Sequence, residues 1–194
     1  MMRRFLVLAL SGSLLAACHP EAPSEPLEQE PADSGTSLTS EVNPFVGTGG
    51  HGHTHPAASL PFGMVQLGPD TRTEGWDSCG GYHYSDHTIL GFSHTHLSGT
   101  GIADYNDVLV TPTLAQPVGA DLRVEPMPFA HEREAAGPGT YAVQLDNGID
   151  VRLTATARSG IHEYRFPEGA TPGLLFDLEH RDEVLDTQIE RVGD

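Results

Sequence analysis

This 194-residue sequence predicts an all-β protein, an antiparallel β-sandwich, and three observations carry the prediction. From about Tyr141 onward apolar and polar residues alternate, the period of strands with one wet face. Earlier short apolar runs are separated by long loops rich in Gly and Pro, of which the chain has 22 and 15. Beyond the N-terminal segment no window shows a helical period. Many short strands with such punctuation argue for a sandwich.

Residues 1–17 are set aside as a targeting signal. Arg3 and Arg4 form a positive start, and Phe5 to Ala17 is an apolar run too short to span a bilayer as a helix. The run ends in Leu15-Ala16-Ala17-Cys18, which resembles a bacterial lipobox. That resemblance implies cleavage before Cys18, lipidation of its sulfur and a protein anchored in the bacterial cell envelope. The plainer alternative is a secretory signal with a coincidental cysteine. Residues 18–40 are rich in Pro, Glu and Ser and cannot bury enough surface to offset their chain entropy, so they read as an acidic, disordered tether. Residues 41–194 suit one domain with a sizeable core.

Within that domain Met64 to Leu67, Ile89 to Phe92 and Val108 to Thr111 read as short strands. Tyr141, Val143 and Leu145 then alternate with polar partners, and Asp146-Asn147-Gly148 supplies hairpin-turn chemistry. Ile149, Val151, Leu153 and Ala155 form one face of the next strand. Ser159-Gly160 turns the chain into a strand from Ile161 to Phe166, and Leu174 to Leu178 reads as a fourth strand of the same meander. The residues from Arg181 to Asp194 stop without a clear terminal feature, so the chain is expected to be a piece of a longer protein, truncated at its C-terminal end.

The formal charge is −17 and every basic residue is Arg, a balance that repels nucleic acid. With Cys18 lipidated, Cys79 is the only remaining thiol and no internal disulfide forms. No neighbouring pattern supplies a base to activate it, so Cys79 reads as a buried structural thiol.

Function concentrates between His51 and Asp107. Seven of the eleven histidines fall there, with the only tryptophan and a high density of glycine. Imidazole, indole and phenol bind, stack and donate hydrogen bonds, and glycine admits close backbone approach. His51-x-His53-x-His55 and His94-x-His96 raise a metal site, with Asp104 or Asp107 as oxygen ligand, because alternate residues of a strand share a face. The alternative is that these histidines hydrogen-bond within crowded loops or line a polar pocket, and on that reading no metal ligand is assigned. Trp76, flanked by Asp77, His83 and Tyr84, offers a sugar an apolar plate and hydroxyl acceptors. The plain alternative for Trp76 is a core plug, against which its polar, Gly-rich surroundings argue. No pair of carboxylates stands out as a catalytic acid and base, so no catalytic residue is assigned.

Ordered blocks then resemble a known family. Val42-Asn43-Pro44-Phe45-Val46-Gly47-Thr48 and Gly50-His51-Gly52-His53-Thr54 resemble the opening of the N-terminal domain of glycoside hydrolase family 92. Leu60 to Leu67, Gly81 to Asp86, Gly91 to Gly101, Pro138 to Tyr141 and Leu153 to Gly160 continue the match in order. The resemblance covers about Val42 to His180. It implies a calcium-dependent, inverting exo-α-mannosidase, with the β-sandwich packed on an (α/α)6 barrel that carries the general acid, the base and most calcium ligands. That barrel is not in this chain. What the resemblance carries onto this sequence is one wall of the mannose pocket, with Trp76 and, with less behind it, Asp77 touching sugar. His83, His94 and His96 are the remaining candidates on that wall. His55, Ala57 and Ser78 depart from the pattern, which bears on the pocket rim. Two readings follow: the N-terminal domain of a surface-anchored α-mannosidase acting on mannose-containing glycans, or a stand-alone glycan- or metal-binding lipoprotein.

Overall fold

A computed structural model describes residues 37–115, 125–181, 183–188, 190 and 192. The signal segment, most of the tether and Cys18 lie outside them. Regular structure among the described residues is strand, apart from two short 3-10 turns at Leu38–Glu41 and Trp76–Ser78. The all-β prediction is met.

Among the described residues ten strands form two five-stranded sheets. β1 (Ala58–Ser59), β2 (Gln66–Asp70), β4 (Gly91–Ser93), β5 (Leu109–Thr113) and β10 (Gly173–Asp177) lie side by side in that order. The second sheet runs β3 (Thr88–Ile89), β6 (Met127–Gly137), β7 (Thr140–Leu145), β8 (Asp150–Ala155) and β9 (Gly160–Arg165). Every strand pairing is antiparallel. Leu67 and Phe92 of the first sheet join Tyr141, Val143, Leu145, Val151 and Leu153 of the second in one core. The Phe92 ring meets Tyr141 at 6.4 Å and Tyr164 at 6.1 Å. Burying each such side chain is worth about 1.5–3 kcal/mol, so the facing layers hold the sandwich together.

The β7–β8–β9 meander follows the sequence reading, and Gly148 makes its turn with φ +88°. Three features differ from it. Residues 173–177 do not extend the meander; they cross to the first sheet and pair with β5, Phe176 opposite Val110. The single run Ile89 to Phe92 splits, with Ile89 in one sheet and Phe92 in the other. Between them the Leu90 N–H donates to the Asp70 carbonyl at 2.7 Å. The long strand β6 gave no periodic signal, because a register shift between Phe129 and Glu134 interrupts the alternation.

β6 also carries a buried acid. Glu134 accepts from the Tyr141 hydroxyl at 2.7 Å, the Tyr82 hydroxyl at 3.0 Å and His131 Nδ1 at 2.8 Å. Burial and the Glu134 charge push both phenols above their ordinary range. These three donors satisfy a carboxylate that would otherwise be costly inside the protein. Cys79 is buried, as the sequence suggested, and its thiol points to the Trp76 carbonyl at 2.9 Å.

Candidate sugar-facing wall

The loops between these strands carry the site. After Gly75 the chain makes the 3-10 turn Trp76–Ser78, which lifts Trp76 onto the surface with 61% of its area exposed. The indole is therefore no core plug. It lies against Gly101, where an added Cβ would stand 2.4 Å from the ring, so a side chain there would displace it. The His53 ring meets it edge-on at 5.0 Å. An aromatic plate held by its edges and left open on a face suits the C–H face of a sugar.

Asp77 follows directly. His51 Nδ1 lies 2.7 Å from its Oδ1 and His53 Nε2 3.1 Å from the same oxygen. Hydrogen bonding from His51 first, and then from His53, holds the Asp77 carboxyl below the usual carboxylate range. It is thus an anionic acceptor at neutral pH, beside an open aromatic. His53 is fixed from behind, its Nδ1 lying 2.8 Å from the Thr100 carbonyl.

Beneath this wall lies a polar cluster that sequence reasoning did not find. Asp70 is fully buried, and its Oδ1 accepts from His96 Nε2 at 2.8 Å and Asn106 Nδ2 at 2.7 Å. His180 Nε2 approaches its Oδ2 at 3.1 Å, off the hydrogen-bond axis. His96 Nδ1 donates to the Gln66 carbonyl at 2.7 Å. Both His96 nitrogens thus face acceptor oxygens. Burial pushes the Asp70 carboxyl up, but the His96 charge and the contacts with His180 and His96 outweigh it and bring it below its ordinary value. Gly81, at φ +75°, passes so close that a Cβ would fall 2.6 Å from Asp70 Oδ1. Arg181 extends the cluster: it bonds Asn106 Oδ1 and donates to the Ser78 carbonyl at 2.7 Å. Ser78 closes the Trp76 turn, so this network ties that turn to the segment following β10.

The sequence candidates thus separate. Trp76 and Asp77 stand together on the surface. His83 spans two loops, donating from Nε2 to the Gly50 carbonyl at 3.0 Å while Nδ1 meets the Ser85 hydroxyl at 2.8 Å. His96 is enclosed with Asp70. His94 belongs to a third arrangement, with Nδ1 on the Val108 carbonyl at 2.9 Å and Nε2 3.1 Å from His162, whose Nδ1 meets the Tyr164 hydroxyl at 2.8 Å. Burial, and then His94, lowers His162 to about 4. His51, His53 and His55 do not converge on one point. His55 turns inward against the His96 ring at 4.9 Å, and burial, then the His96 charge, lower it to about 3. Asp104 and Asp107 do not join the histidines either; Asp104 caps the Tyr105 N–H and Asp107 accepts from Thr95. The acid that meets His51 and His53 is Asp77. Strain collects here too, since His53, Tyr105, Asn106 and Val108 hold positive φ in these loops.

Residues 41–194 match the model of the glycosyl hydrolase family 92 N-terminal domain. The chain belongs to glycosyl hydrolase family 92. The chain is also similar to family 92 α-mannosidases of known structure. One from Bacteroides thetaiotaomicron, solved in complex with mannoimidazole, is 39% identical over 75% of this chain and 20% of its own, with a TM-score of 0.68. A family 92 inverting mannosidase of the same organism is 34% identical over 72% of this chain and 19% of its own, with a TM-score of 0.61. A protein described as an uncharacterized secreted glycosidase of Arthroderma benhamiae is 32% identical over 153 residues, 71% of this chain and 19% of that protein. The chain therefore spans about a fifth of the length of these relatives.

Proposed function

We propose that this family 92 domain forms one wall of the mannose pocket of an inverting, calcium-dependent exo-α-mannosidase acting on mannose-containing glycans. The observation that carries the reading is the exposed Trp76 beside the half-buried Asp77, an open indole next to a carboxylate that two histidines contact. Trp76 covers the apolar face of the sugar, and Asp77 accepts from its hydroxyls. His83 bridges the rim loops, and His96 supports the turn from below. The mannosidase structures similar to this chain, one of them holding mannoimidazole, support the substrate class.

In this reading the chain binds and orients, and the reaction belongs to the C-terminal (α/α)6 domain. There a carboxylic acid protonates the leaving oxygen and a second carboxylate activates water on the opposite face. Calcium is a poor fit to the residues described: the convergent donor set here is two nitrogens and one oxygen, while calcium takes six to eight oxygens. Its ligands are therefore assigned to the C-terminal domain. Cys18 supplies a lipid anchor holding the enzyme in the bacterial cell envelope. The stand-alone binding-module reading has less behind it, since the similar proteins are described as glycosidases or mannosidases.

Mannose release from an α-mannoside tests the proposal. A full-length protein that includes the C-terminal domain is expected to release mannose, and W76A to lose kcat/KM by on the order of 10- to 100-fold. The 194-residue chain alone is expected to release none. An unchanged W76A rate would remove Trp76 from the sugar site, and turnover by the short chain would place the acid and base within these residues.

A further inference from the structure

Sugar binding accounts for Trp76 and Asp77, but it does not account for two imidazoles meeting on a single carboxylate oxygen. One ring nitrogen each of His51 and His53 and a carboxylate oxygen of Asp77 all lie within 4.8 Å of one another. His53 is nearly enclosed, and its Nδ1 faces the Thr100 carbonyl at 2.8 Å, which accepts the one N–H of a neutral ring. Nε2 then bonds Asp77 only as the second N–H of a doubly protonated ring; with one N–H it presents a lone pair. That lone pair faces an anionic oxygen 3.1 Å away. Two acceptors so placed repel, and a cation between them, a proton or a metal ion, removes the repulsion. His51 and Asp77 open to solvent, so a metal ion has access. A carbonyl behind the distal nitrogen is also the arrangement that orients metal-bound histidines.

We propose that His51, His53 and Asp77 form a binding site for a divalent transition metal of the zinc type, open on its solvent side. The donor set decides the class, because two imidazole nitrogens with one carboxylate oxygen suit zinc-like ions and not calcium. Tetrahedral zinc with bonds of about 2.0–2.1 Å sets its ligands about 3.3 Å apart. The His53–Asp77 separation of 3.1 Å is close to that. The His51–Asp77 separation of 2.7 Å must open by about half an ångström. His51 is exposed, and a small side-chain rotation supplies the difference. The remaining position is left to water or another ligand. Metal and sugar then compete for Asp77.

Calorimetric titration of the 194-residue chain with Zn²⁺ is expected to show one saturable site. Co²⁺ in its place should develop visible ligand-field absorption and quench Trp76, the only tryptophan of the chain, whose ring lies 5.0 Å from that of His53. H51A changes an exposed side chain and D77N keeps the shape of the carboxyl, so both should keep the native circular dichroism spectrum. Each should lower Zn²⁺ affinity by about tenfold or more. H87A, an exposed histidine outside the cluster, should leave it unchanged. A folded chain without saturable Zn²⁺ binding, or binding that H51A and D77N leave unaltered, overturns the site. Neither result bears on mannose release by the full-length protein, so the metal site and the sugar wall stand or fall separately.

Discussion

Asp70 and Asp77 lie seven residues apart, and two histidines approach each of them, yet their surroundings give them opposite work. Asp70 and His96 have no exposed side-chain surface, and around them Asn106, Gln66 and His180 complete a closed network. Asp77 keeps a quarter of its side chain open, and His51 keeps most of its own. A charge pair enclosed in low dielectric is committed to its partners, because losing either one strands the other. A pair at the surface is held loosely and stays available to a sugar hydroxyl or a cation. Burial, not residue type, separates scaffold from site.

The comparison can be broken most forcefully at Asp70. D70A strands the His96 charge and frees Asn106, and it should cost about 3–5 kcal/mol of unfolding free energy in urea. A loss below about 1 kcal/mol would mean that the enclosed network is not the scaffold described here. Because Arg181 links this cluster to Ser78, D70A should also alter the fluorescence of Trp76.

Acid probes the same interior more gently. His55 and His162, lowered to about 3 and about 4, stay neutral in the folded chain while unfolded histidine titrates near 6.5. The unfolded state therefore binds more protons below about pH 6.5, and stability falls as pH drops from there toward 3–4. Asp70, with its carboxyl held below the ordinary value, adds its own loss only at the acid end of that range. Urea melts at pH 7 and pH 4.5 should show the decline, H55Q should flatten part of it, and a rise in stability on acidification would contradict it.

The smallest effect belongs to the surface pair. W76A and H51A should leave the melting temperature within a degree or two of the parent, since both side chains are mostly exposed. A large drop in either would turn the open wall into part of the scaffold and close the contrast with Asp70.

Much of this was legible along the chain. Alternation at Tyr141, Val143, Val151 and Leu153 announced strands and their buried face, because side-chain direction in a strand repeats every two residues. Glycine around Trp76 announced an exposed tryptophan, and ordered motif blocks announced the family. Alternation names a face but not a neighbour, however. It could not say that β10 leaves the meander for β5, or that Ile89 and Phe92 serve different sheets. Nor could spacing say which acid the histidines meet. His55 and His96, which read as site residues, pack inward, whereas Asp77 reaches His51 and His53 across 26 and 24 residues of chain. The Asp70 cluster draws on His96, Asn106 and His180, brought together only when β2, β4, β5 and β10 pair and their loops meet. Local pattern reports the backbone period and the character of a segment; contacts between distant loops, and the burial that gives each charge its role, exist only in the folded chain.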